Sequence, residues 1–213
     1  MGSGLYWACV LGVLSVCVEV QSQTVWNVVS FPDPRYEPTR CGRHSEVTES
    51  WICDPNNIIS SDDASAIDAL LKMTERTTSC GCQKCRTDNS GYVIMVALMP
   101  QMRRIINGSN TLESILQDAR VYAYYLSLYW DFTSCDQQIL ILFDQHHDVV
   151  YTLTQRDARR TLTDKLVSEI TLQNRRFFDV NEKASIAQGL TNMIQSYKDI
   201  LPRRVRQSRP TTV

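Results

Sequence analysis

The residues best able to do chemistry are the cysteines. After the first twenty-two positions there are six, at Cys41, Cys53, Cys80, Cys82, Cys85 and Cys135, and three of them crowd into Ser79 to Cys85. Soft thiolates at such spacing hold zinc in many proteins. Here the lone C-x-C-x-x-C has no second C-x-x-C and no nearby histidine. The alternative is oxidation: an even number of cysteines in a secreted chain reads as three disulfides. A Cys41–Cys53 bridge would close a short loop. Six cysteines allow 15 pairings, and spacing alone does not select one.

The histidines are His44, His146 and His147. The run Asp144-Gln145-His146-His147-Asp148 has the donors for a divalent ion, although Asp and His are also ordinary solvated turn residues. No nucleophile-bearing motif of the G-x-S-x-G kind accompanies these histidines, and no glycine-rich phosphate loop occurs. The sequon Asn107-Gly108-Ser109 offers a glycosylation site. Residues 5–20 form an apolar stretch followed by Val20, Gln21 and Ser22, which reads as a cleaved signal peptide over 1–22 without a basic residue at its start. Its removal takes away Glu19 and leaves 22 basic and 22 acidic side chains, a balance that gives no reason to expect nucleic acid or an acidic membrane as partner.

The elements that must position these groups centre on Gln137 to Thr154. Ile139 to Phe143 is apolar throughout, Asp144 to Asp148 is a polar break, and Val149, Tyr151 and Leu153 then recur with period two. This predicts a β-hairpin whose first arm is covered on both faces and whose second has one face in water. Tyr92 to Leu98 is another buried strand. Leu112, Ile115, Leu116, Ala119, Ala123, Leu126 and Trp130 follow helical spacing between the two. Strand, helix, strand is a parallel crossover, so the sheet is mixed. Ser60 and Asp63 open a helix that runs to about Thr78, with further helices around Leu162 to Ile170 and Ala187 to Leu201, the last stopped by Pro202. If the strands at Tyr92 and Ile139 are parallel neighbours, Cys85 and Cys135 enter at the same sheet edge, and one of the clustered cysteines bonds Cys135. The expected organisation is a signal peptide over 1–22, an extended disulfide-pinned arm over 23–51, one domain over 52–201, and a flexible basic tail over 202–213.

With the elements placed, Cys53-Asp54-Pro55-Asn56-Asn57-Ile58-Ile59-Ser60 ahead of a helix resembles the opening of the TPM domain. The strands ILILFD and VVYTLT and the later Leu162-Thr163-Asp164 resemble that domain's further landmarks in the same order. Trp26 to Pro32 ahead of a cysteine-bearing domain is similar to the animal family named for the modulator of the levamisole receptor. The resemblance implies a three-layer α/β/α domain with a small mixed sheet. It also implies a non-enzymatic auxiliary role at acetylcholine-gated receptors, with a cell-surface receptor or channel subunit as partner and no cofactor.

Other relatives imply a metal-dependent phosphatase as the alternative, with calcium or magnesium as the cation. The carboxylates on family landmarks, Asp54, Asp144 and Asp164, would be its ligands if they converge at one sheet edge. Otherwise they cap helices and turns. Receptor-associated relatives carry a transmembrane helix after the domain, whereas this sequence continues as a basic tail without a spanning apolar run. A secreted or extracellular protein, held at the cell surface through its receptor, is therefore expected.

Overall fold

The computed structural model describes residues 24–88, 90–106, 108–131, 135–178 and 183–204. In chain order the elements are β1 (Val25–Trp26), β2 (Ile52–Cys53), α1 (Ser61–Thr77), α2 (Gln83–Asp88), β3 (Val93–Met99), β4 (Gln101–Met102) and α3 (Leu112–Trp130). There follow β5 (Gln138–Asp144), β6 (Val149–Thr154), α4 (Arg156–Arg159), α5 (Asp164–Asn174), a 3₁₀ turn (Arg175–Phe177) and α6 (Lys183–Ile200). The signal segment, Asn107 and the tail from residue 205 onward lie outside the described residues.

The main sheet has the order β2-β3-β5-β6, with β2, β3 and β5 parallel and β6 antiparallel. Every residue of β3 and β5 is buried, as their unbroken apolar runs require of strands covered on both faces. Their register sets Val93 opposite Gln138 and Met99 opposite Asp144. A second, two-stranded sheet joins β1 to β4.

Side chains alternate across the sheet, and each face meets different helices. Phe143 packs on Phe178 (ring centroids 5.5 Å apart), and the Thr152 hydroxyl lies 3.0 Å from that of Tyr197 in α6. On the opposite face Gln155 donates to the Ser127 hydroxyl of α3 (3.1 Å). Helices α1 and α5 both pack against α6, which completes three layers.

Local signals account for the helix ends. The Ser60 hydroxyl accepts from the Asp63 amide (3.1 Å), Thr111 caps α3 through the Ser114 amide (3.3 Å), and Thr163 caps α5 through the Leu166 amide (3.4 Å). At the end of α1, Thr78 donates its hydroxyl to Thr74 O (2.7 Å) and accepts from the Tyr92 amide (3.0 Å), so the helix end is tied to the start of β3.

The six cysteines form three disulfides: Cys41–Cys53, Cys80–Cys85 and Cys82–Cys135. Cys82 is thus the clustered cysteine that reaches the start of β5.

Three expectations change. The arm before Ile52 is a succession of turns and is not extended. Asp33 accepts from the Arg35 amide (3.0 Å), and Phe31, Cys41 and Trp51 enter the core. Gly42 in this arm has φ +71° and sits so close to the Asp54 carbonyl that a Cβ would lie 2.4 Å from it. Second, β6 has no solvent face: Thr152 and Thr154 are buried, because a threonine hydroxyl that bonds to a neighbour behaves as a core residue. Third, the tail does not leave the domain at Pro202. Ser79 donates to Pro202 O (2.9 Å) and Arg204 donates to Thr77 O (2.8 Å), which fastens its first residues to the end of α1.

Candidate functional site

Two of the three landmark carboxylates bond backbone amides. Asp54 is buried and accepts from the amides of Ile58 and Ile59 at 2.9 Å each, holding the loop between β2 and α1. Asp144, with no exposed side-chain surface, accepts from the amides of Met102 (3.3 Å), His146 (3.1 Å) and His147 (3.3 Å). Its Oδ2 also lies 2.7 Å from Nδ1 of His147. Burial raises the Asp144 pKa, and the facing His147 opposes that shift. Asp164 is the first residue of α5, has 78% of its side chain exposed, and pairs with Arg159 at 3.3 Å.

Asp54 follows β2 and Asp144 is the last residue of β5, parallel strands with β3 between them, and Asp164 lies beyond β6. The fold does not bring the three together. His44 and His146 are exposed, and His146 meets the His147 ring edge-on at 4.7 Å. Among the described residues, the one grouping of three or more metal-capable ligand atoms is the four sulfurs of Cys80, Cys82, Cys85 and Cys135, within 4.8 Å of one another, and the disulfides occupy them.

The surface points elsewhere. Helix α3 buries Ile115, Ala119, Tyr122, Ala123, Leu126 and Trp130, as an amphipathic helix on a sheet should. It also exposes Leu112, Leu116, Tyr124, Tyr125, Leu128 and Tyr129, each between 37% and 52% accessible. Tyr124 and Tyr125 meet edge-on at 5.7 Å. Exposed tyrosines and leucines gathered on the C-terminal half of one helix are a feature of contact sites.

Two clefts run beside it along β6. The first, about 390 Å³, is lined by Leu112 and Leu116 of α3, Val150 and Tyr151 of β6, and Val167 and Leu172 of α5. The second, about 640 Å³, is lined by Thr154 at the end of β6 together with Tyr124, Arg120, Arg156, Arg159 and Arg160. Arg156 pairs with Asp136 (2.9 Å) and Arg160 with Asp157 (3.9 Å), both with well-exposed guanidinium groups. Arg120 has no ion pair among the described residues. Burial raises the Tyr151 pKa, and the nearby Arg120 opposes that shift.

Leu112 and Leu116 share the helical spacing of Ile115 to Trp130, yet the structure exposes both. The signal for the exposed face was present: Tyr124, Tyr125, Leu128 and Tyr129 are large apolar residues that fall outside the inward spacing.

The family described as "Modulator of levamisole receptor-1" matches residues 26–148, over half of the chain. The chain belongs to this family. Its matched region begins in the arm, in keeping with an arm whose Phe31, Cys41 and Trp51 are core residues of the family domain. No curated protein matches the sequence. In fold the chain is similar to the N-terminal domain of a protein from P. gingivalis, solved by NMR, at 13% identity and a TM-score of 0.58, over 87% of this chain and 100% of that one. It is also similar to the BA42 protein of the psychrophilic bacterium Bizionia argentinensis, at 13% identity and a TM-score of 0.43, over 68% of this chain and 86% of that one. The first likeness supports the α/β/α architecture.

Proposed function

We propose that this member of the family acts by binding, as a non-enzymatic accessory of an acetylcholine-gated receptor at the cell surface. The observation that supports this reading is the exposed face of α3, where Tyr124, Tyr125, Leu128 and Tyr129 present aromatic and apolar surface that no element among the described residues covers. Tyrosine is enriched at protein interfaces because it combines a large apolar area with a polar tip. An extracellular site of action accords with three disulfides, which form and persist in oxidising compartments. No helix among the described residues is long and apolar enough to cross a membrane.

The test is co-expression with a levamisole-sensitive receptor, reading agonist-evoked current and co-precipitation. Replacing Tyr124, Tyr125 and Tyr129 together by serine should abolish both while leaving the circular dichroism spectrum unchanged. Full modulation by that triple variant would overturn the reading. The phosphatase alternative has its own assay. Hydrolysis of an aryl phosphate that needs calcium or magnesium and disappears in Asp54→Asn or Asp164→Asn would replace binding by catalysis.

A further inference from the structure

Strand β6 ends the main sheet, and no described residue pairs with its outer side. Gln155 donates to Gln138 O (2.9 Å), and these two continue the β5–β6 register beyond Ile139 and Thr154. Bonded and unbonded pairs alternate in an antiparallel ladder, so the main-chain N–H and C=O groups of Val150, Thr152 and Thr154 point off the sheet. Arg159 confirms the direction at one end by donating to Thr154 O (3.2 Å).

Proteins ordinarily blunt such an edge with proline, lysine, a bulge or a very short strand. The opposite edge is blunted in this way, since β2 has two residues. Strand β6 has six, VVYTLT, in unbroken register and without proline, lysine or a bulge; Arg159 covers its end at Thr154, and the stretch at Val150 to Thr152 borders the cleft.

The surroundings of this edge specify an occupant. Helices α3 and α5 stand on either side of it and form a cleft whose walls are Leu116 and Leu172. Leu172 is 67% exposed. Where the strand passes Thr154 the walls change to Arg120 and the arginines of α4. A largely apolar trough, with Asp148 at one end and Asp164 paired to Arg159, becomes basic at Arg120 and complements an extended segment that is apolar and then acidic.

Resting on the binding reading above, we propose that the partner protein contributes an extended segment, with alternating apolar side chains and a carboxylate-bearing end. It adds as a fifth strand to β6 and sets its carboxylates against Arg120. Main-chain bonds to Val150 and Thr152 hold the segment, the leucine walls take its apolar side chains, and Arg120 fixes its direction. Strand addition uses main-chain bonds for affinity and side-chain pockets for specificity in this way. The exposed ion pairs of Arg156, Arg159 and Arg160 are weak enough to be exchanged for ligand carboxylates.

The experiment uses the full disulfide-bonded chain and fluorescence anisotropy with a labelled synthetic peptide of alternating valine and threonine ending in two glutamates. Binding is expected, with loss of about tenfold or more in affinity when the glutamates become lysines or when the protein carries Arg120→Glu. Methylating alternate peptide nitrogens should abolish binding. Val150→Pro, which deletes an outward N–H without touching the β5 ladder, should do the same.

Unchanged affinity of the methylated peptide overturns the proposal, and so does failure of the acidic peptide to bind at about 1 mM. A concentration-dependent dimer of the free protein that Val150→Pro dissolves would also overturn it, by making a second copy the occupant. The two readings separate cleanly. If the tyrosine triple variant loses receptor modulation while Val150→Pro retains it, the accessory function stands and strand addition fails.

Discussion

Asp118 and Asp144 both have side chains closed off from solvent, and their neighbours send them in opposite directions. Burial alone would raise the Asp118 carboxyl, but hydrogen bonds from the Ile106 amide (2.6 Å), Arg104 (2.6 Å) and the Ile105 amide (2.9 Å) together hold it below the usual range. Asp144 is raised by burial, with only partial relief from His147. In linkage terms, a depressed folded-state pKa means that the unfolded chain binds more protons. The Asp118 contribution is therefore present above the unfolded value of about 3.9 and lost as pH falls through the folded one. For Asp144 the native state binds more protons, so its contribution is present below about 3.9 and lost as pH rises through the raised value. Asp118→Asn should cost about 1–3 kcal/mol at neutral pH, shrinking toward pH 3. The stability of wild type relative to Asp144→Asn should improve as pH falls toward 4. Urea unfolding midpoints taken in half-unit pH steps check both, and parallel slopes in the two variants would refute the assignment.

At the scale of elements, the arm and β6 depend on single close contacts. Gly42 must remain glycine because its φ of +71° is left-handed and its missing Cβ makes room for the Asp54 carbonyl. Gly42→Ala should cost about 2 kcal/mol or more, seen as a fall in Tm. Strand β6 is held from below by the hydroxyl pair of Thr152 and Tyr197, 3.0 Å apart. Tyr197→Phe should lower stability by about 1 kcal/mol and speed hydrogen exchange in β6 more than in β3. Equal acceleration in both strands would mean that the bond does not clamp the edge. An edge strand clamped on one face and open along its side is pre-organised to receive another strand, since less ordering entropy is lost on docking.

For the whole molecule, the three disulfides close loops of very different size, with sequence separations of 12, 5 and 53 for Cys41–Cys53, Cys80–Cys85 and Cys82–Cys135. The chain-entropy model then orders their contributions as about 4 kcal/mol for Cys82–Cys135, about 3 for Cys41–Cys53 and about 2 for Cys80–Cys85. Paired serine variants compared by chemical denaturation should reproduce that order, and a largest loss from Cys80→Ser with Cys85→Ser would contradict it. In cultured cells the protein should appear in the medium with no free thiol among the six cysteines by mass spectrometry. Retention in the membrane fraction through a carbonate wash, without a receptor present, would overturn the secreted reading.

The sequence by itself determined the hairpin, the crossover and the long helices, because each has a hydrophobic period that one stretch of chain expresses on its own. It also determined the cysteine inventory and, through the order of short motifs, the family. The pairing of Cys82 with Cys135 was decided by the tertiary structure, since only the parallel register of β3 and β5 brings the cluster to the start of β5. So was the fate of Asp54, Asp144 and Asp164. A carboxylate's type and position are the same whether it faces a cation or a backbone amide, and only the fold shows amides beside Asp54 and Asp144 and the Arg159 side chain beside Asp164. Strand β2 was illegible because two residues carry no period. The edge position of β6 was illegible for a different reason: which main-chain groups of a strand remain unpaired is a property of its neighbours, and no residue in VVYTLT encodes that no described strand pairs beyond it.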